Sequence, residues 1–139
     1  TLRDRAVWVA AAPEPELVKI ANIQHLATPI RAQLATPIDV LELAGLMHPT
    51  PAVGGEPRDV AGFLIPALEG LDRGWYAGPV GWTDATGDGE LCVALRCALL
   101  RGSVGRCYAG NGIVRDSNPR AELAETEVKL QALLPLLAG

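Results

Sequence analysis

Aromatic residues are scarce in this 139-residue sequence: three tryptophans, two tyrosines and one phenylalanine make up 4% of it. So few π faces argue against a surface on which nucleic-acid bases stack. Runs of basic residues are absent and the formal net charge is −4, so neither nucleic acid nor an anionic membrane surface is an expected partner. Long apolar runs are missing too. The longest, Ala6 to Ala12 and Leu133 to Ala138, fall far short of the roughly 20 residues that a membrane-spanning helix needs. With no signal-peptide pattern either, the expected setting is the cytoplasm. Cysteine is limited to Cys92, Cys97 and Cys107, with no CxxC pair. Structural zinc wants four nitrogen or sulfur ligands at loop spacings, so buried free thiols are expected instead. The chain opens at Thr1 without methionine and enters Arg3-Asp4-Arg5 directly, which reads as a piece of something larger.

What is present is apolar residue in quantity, 49% of the total, enough for one domain's core. Residues 16–33 alternate partially and predict one long strand, with Pro29 marking an edge or bulge. Residues 37–47 predict a helix with Pro37 in its first turn. A rigid Pro/Gly loop over 49–57 follows, then a helix over 58–70 interrupted at Pro66. Strands are predicted over 76–84 and 90–100, joined by the hairpin signal Thr86-Gly87-Asp88-Gly89, with a third over 104–109. Ser117-Asn118-Pro119 caps an amphipathic helix reaching about residue 136. Antiparallel strands with flanking helices make an α/β chain of the α+β kind, within one domain over residues 1–139.

Three places could carry chemistry. Alternation through 90–100 puts Arg96 on a face with Cys92, Ala94 and Ala98, a shallow floor with one guanidinium suited to gripping a carboxylate. An arginine on a solvated sheet face is the plain alternative. The stretch Ala109-Gly110-Asn111-Gly112 follows a strand, where glycines let backbone approach an anion, or simply turn the chain. Glu122, Glu125 and Lys129 share one helical face. Two carboxylates there suit a hard cation such as Mg²⁺, whereas a solvated Glu125–Lys129 ion pair is the plainer reading. His25, mid-strand, and His48, before a proline, carry no local mark of a base.

The order of segments adds a further signal. QHLATPI at 24–30, HPTPAVGGEP at 48–57, DRGWYAGPVGW at 72–82, GDGE at 87–90, VALRCA at 93–98, YAGNGIV at 108–114 and SNPRAELAETEVK at 117–129 resemble the chorismate-binding enzymes. That family includes isochorismate, salicylate, anthranilate and aminodeoxychorismate synthases, and the resemblance covers residues 17–137. HPTPAVGG and RGWYAGPVGW are most similar to isochorismate synthases, particularly those feeding menaquinone synthesis, with siderophore-pathway relatives close.

The resemblance implies the second half of a fold in which two similar antiparallel-sheet subdomains stack around the active site. It implies chorismate as substrate and Mg²⁺ at Glu125, with Glu122 close by. Arg96, Gly110 and Lys129 match residues that hold the carboxylates of chorismate, and His25, Val53 and Tyr76 match the lining of the ring pocket. In the family reaction a lysine activates water and a glutamate protonates the departing hydroxyl. Both belong to the family's N-terminal half, so no catalytic base or acid is expected within these residues, and the isolated chain is expected to be inactive. Arg3-Asp4-Arg5 matches the start of a Lys-Asp-Arg-x-Glu-His motif, yet Val7 and Trp8 stand where its metal-binding Glu and its His belong. An exposed inner sheet face implies a partner, either the missing half or another copy. A non-catalytic remnant that binds chorismate or self-associates is the alternative, and salicylate or anthranilate chemistry comes third.

Overall fold

The computed structural model describes residues 1–20 and 23–137. It separates into two compact units, Thr1–Met47 with Thr83–Asp88, and His48–Trp82 with Gly89–Gly139. The expected mixture of helices and antiparallel strands is present, with the strands arranged as four pairs.

In the first unit, β-branched and apolar residues build β1 (Ala6–Ala11), β2 (Glu16–Ile20), β3 (Ile23–Ala27) and β4 (Ile30–Leu34). The single strand expected over 16–33 is therefore three, and the part of it at 21–22 lies outside the described residues. Pro29 explains one break: it has no N–H for a ladder, and its carbonyl instead accepts from Ala12 N at 3.0 Å. β2 pairs antiparallel with β3 and β1 with β4. A register shift between Ala6 and Trp8 bulges β1 at Val7, and the Trp8 indole donates to its cross-strand neighbour Gln33 at 2.8 Å. Helix α1 (Val40–Met47) starts later than expected. Its start is set by Asp39, whose carboxylate accepts from Glu42 N at 2.7 Å, rather than by Pro37.

In the second unit the stretch expected to be a loop contains a one-turn helix, α2 (Pro51–Gly54). Next comes α3 (Arg58–Glu69), which runs through Pro66 without stopping. The interruption expected there is corrected. Proline merely deprives the Gly62 carbonyl of its helical donor, and Gly70 ends the helix four residues later in a left-handed conformation at φ +62°. β5 (Pro79–Thr83) pairs with β6 (Gly89–Val93), and β7 (Cys97–Arg101) pairs antiparallel with β8 (Val104–Tyr108). The turn between β5 and β6, whose residues 83–88 belong to the first unit, is organised by Asp84, which accepts from Thr86 N, Thr86 Oγ1 and Asp88 N. The Thr86 bonds hold its carboxyl below the usual range. Asn118 caps α4 (Pro119–Leu130) as expected, accepting from Arg120 N and Ala121 N. The closing helix breaks after Leu130, and a separate turn, α5 (Leu134–Leu137), ends the description.

Ala77, 6% exposed, is the buried hydrophobic residue among the described ones, while Phe63, Leu68 and Trp75 are each more than 80% exposed. The core that the composition allowed is thus not closed by these residues on their own. The thiols follow suit: Cys97 and Cys107 are half-buried, but Cys92 is exposed, against the expectation of burial.

Candidate functional site

Seven of the eight sequence-derived site residues belong to the second unit. The eighth, His25, is exposed on β3 of the first unit, opposite Val18.

Arg96 is not where alternation put it. The strand expected over 90–100 is two strands, and residues 94–96 between them break the alternation that placed Arg96 on a face with Cys92 and Ala98. Leu95 N bonds back to Val93 O at 2.8 Å, and Arg96 adopts a left-handed φ of +47°. A non-glycine residue held there stores backbone strain of the sort that gathers at functional sites. Tyr76 is likewise in a turn rather than a strand, because Tyr76 N bonds to Arg73 O and Gly78 N to Trp75 O. Ala77, beside it, is left-handed at φ +65°. Two backbone bonds tie the strained stretches together, Ala77 N to Ala94 O at 2.9 Å and Ala94 N to Gly78 O at 2.8 Å.

Tyr76 is the hub of the site. Its ring stacks on Tyr108 with centroids 5.3 Å apart, and the Arg73 guanidinium sits over it at 5.7 Å. Burial lifts its pKa, and Arg73 pulls the other way. Its hydroxyl lies so near Gly110 that a Cβ there would come within 2.7 Å. Gly110 is thus needed for space, since neither it nor Gly112 has a left-handed φ. The sequence offered approach to an anion or a plain turn as the reason for these glycines, and at Gly110 the structure shows a different one, the space taken by the Tyr76 hydroxyl.

Lys129 closes the other side. Its ammonium donates to Gly110 O at 3.1 Å and to Asn111 Oδ1, and pairs with Glu125 at 2.8 Å. The Glu125–Lys129 ion pair anticipated as the plain reading therefore exists. Asn111 Nδ2 in turn donates to Glu122 O, which anchors the loop to α4. Glu122 is half-buried and the Glu125 carboxylate is 58% exposed. Two carboxylates one turn apart suit Mg²⁺, which keeps several waters and takes one or two protein carboxylates beside an anionic ligand. No group of three or more metal-ligating side chains gathers among the described residues. Glu122 and Glu125 thus offer at most two carboxylates to a cation, short of a closed cage among the described residues.

An open hollow of about 330 Å³ is lined by His48, Val53, Arg58, Ile65, Arg73 and Tyr76, among others. Arg58 donates to His48 O at 3.0 Å. Arg73 donates two hydrogen bonds to the Glu69 carboxylate, at 2.8 and 2.6 Å, and a third to Val53 O at 2.8 Å. Donating to the Glu69 carboxylate holds the Arg73 pKa above the ordinary value. Glu69 and Arg73 were missed from the sequence. They stand four apart, but the helix ends between them, so helical spacing gave no reason to pair them.

The fold and this site define a class: the chain belongs to the chorismate binding enzymes, whose family model matches residues 1–138. Within that class its relatives include isochorismate synthases. It is 51% identical over 125 residues to the salicylate biosynthesis isochorismate synthase of Pseudomonas aeruginosa, covering 90% of this chain and 26% of that protein. MenF, an isochorismate synthase of Bacillus subtilis, is 45% identical over the same shares. EntC, the isochorismate synthase of Escherichia coli K12, is 42% identical over 96% of this chain and 34% of EntC. The crystal structure of DhbC from Bacillus anthracis matches with a TM-score of 0.93 at 39% identity, over 99% of this chain and 37% of that one. The chain thus spans about a quarter to a third of the length of the curated relatives it matches.

Proposed function

We propose that this chain is the C-terminal part of an isochorismate synthase, which converts chorismate to isochorismate with Mg²⁺ for a menaquinone or siderophore precursor. The observation that supports this best is the meeting of segments far apart in sequence: Tyr76 against Gly110, and Lys129 on the Gly110 carbonyl. They meet in a chain that is 42–51% identical to isochorismate synthases. In this reading Arg96, Gly110 and Lys129 hold the carboxylates of chorismate. Val53 and Tyr76 line the ring pocket. Glu125, with Glu122, holds the cation, which supplies positive charge against a substrate carboxylate when bound.

The ammonium of Lys129 has three donors and three acceptors around it. To take a substrate carboxylate it must release one acceptor, and the exposed Glu125 is the one that costs least to give up. The exposed apolar side chains of α3 and its surroundings are the surface that the rest of the polypeptide covers in this reading. No helix among the described residues is long and apolar enough to cross a membrane, and the proposed setting is the cytoplasm.

The test is to incubate the full-length polypeptide containing this chain with chorismate and Mg²⁺ and to separate the products by chromatography. Isochorismate is the expected product. Salicylate or anthranilate would move the assignment to a sister activity, and binding without turnover would make the protein a non-catalytic binder. The 139 residues alone should yield nothing above a no-protein control. Each positioned acid or base contributes roughly 10²–10⁴-fold, and the family's lysine base and glutamate acid match no residue here.

A further inference from the structure

Arg73 joins the parts of the hollow, and the chemistry proposed above makes no use of it. Its guanidinium has two usable edges. One, Nε with Nη2, is filled by the two oxygens of Glu69 at 2.8 and 2.6 Å. The other sends Nη1 to the carbonyl of Val53 at 2.8 Å. That carbonyl needs a donor, because α2 is only four residues long and its last carbonyls have no following turn to bond them. The same guanidinium lies over the ring of Tyr76. Gly70 and Gly74, left-handed at φ +62° and +55°, bracket the segment and turn the backbone so that Arg73 folds back onto α3.

We propose that Arg73, oriented by Glu69, is a positioning residue for chorismate: it fixes the Val53 segment and the Tyr76 ring as two walls of one pocket. The proposal rests on the function proposed above. Arg73 does not touch the substrate in this scheme. It acts through the two residues it holds. Lysine in its place keeps the charge but cannot fill a carboxylate and a carbonyl from opposite edges of one plane.

The experiment uses the full-length protein with Arg73→Lys and, separately, Glu69→Gln. Pocket walls bind the ring equally in ground state and transition state, so their misplacement raises KM and leaves kcat nearly unchanged. Arg73→Lys should raise KM for chorismate on the order of 10-fold or more, the scale of one charge-assisted hydrogen bond. Glu69→Gln should do the same to a smaller degree. The second readout is hydrogen exchange at the amides of Val53, Gly54 and Gly55, which bond back to Thr50 and Pro51. These amides should exchange faster in both variants. Should Arg73→Lys fail to fold, Glu69→Gln decides, because it loosens the guanidinium without removing it. Wild-type KM with wild-type exchange overturns the proposal, and so does a loss in kcat alone. A wild-type protein that does not turn over chorismate sinks the functional reading instead, and exchange at residues 53–55 still reports whether Arg73 holds the segment.

Discussion

Replacing Gly110 with alanine tests the site's packing most directly. A Cβ at that position lies 2.7 Å from Tyr76 Oη, and the next atom, Tyr76 Cζ, is 3.9 Å away. To reach an ordinary contact of 3.4 Å, the hydroxyl must retreat by about 0.7 Å. The ring is stacked on Tyr108 and covered by Arg73, so retreat disturbs both partners. Overpacking of this kind costs about 1–3 kcal/mol, and a contact with a single atom belongs in the lower half of that range. Backbone strain adds nothing, because Gly110 lacks a left-handed φ. In a Tyr76→Phe background the clashing oxygen is gone and the Cβ meets Cζ at van der Waals distance, so Gly110→Ala should then cost close to nothing. Urea unfolding of wild type, both single variants and the double variant gives the coupling energy, expected at about 1–2 kcal/mol. Gly112→Ala, with nothing within 4 Å of its Cβ, serves as the neutral control. Equal costs of Gly110→Ala with and without the Tyr76 hydroxyl would refute the reasoning.

Glu125→Ala should abolish Mg²⁺-dependent turnover and barely change stability. The Glu125 end of its ion pair with Lys129 is 58% exposed, and pairs open to solvent contribute about 0–1 kcal/mol; surviving Mg²⁺ dependence would reduce the pair to a surface feature. Arg96→Lys should be nearly as damaging to kcat/KM as Arg96→Ala, since a point charge does not replace a planar fork, and a near-normal lysine variant would remove Arg96 from carboxylate binding. For pH, burial lifts the Tyr76 pKa above that of an ordinary phenol, so the fold favours the neutral form. The associated stability is complete below the unfolded value near 10 and is lost as pH rises through the higher folded value. Tyr76→Phe should lack this alkaline loss, and parallel stability curves for the two proteins between about pH 9 and 11 would contradict the assignment.

Local signals carried much of the architecture. Asn118 before Pro119 is a cap that works through its own side chain, so α4 begins where the residues say it does. The Thr86-to-Gly89 turn is likewise made by neighbours, with Asp84 collecting its hydrogen bonds from residues two and four along. Interactions that span a few residues are written in the chain. Misreadings came where a distant partner decided. Apolar alternation through 90–100 looked like one strand, yet the backbone bonds between residues 77–78 and 94 hold Arg96 in a left-handed turn, and no local pattern announces that. Pro66 looked like an interruption of the helix over 58–70, although a single missing N–H is tolerated inside α3.

By itself, the sequence determined the family and the helix that carries Glu122, Glu125 and Lys129. The Glu125–Lys129 pair was foreseeable as well, because four residues on a helix is a local distance. Tertiary structure alone decided that Gly110 is required for the Tyr76 hydroxyl, that Lys129 reaches back 19 residues to the Gly110 carbonyl, and that Arg73 spans from Glu69 to Val53. Each of these depends on which surfaces meet when helices and strands pack. Periodicity shows which face of an element is apolar or charged, but the identity of the atom that arrives on that face follows from chain segments elsewhere.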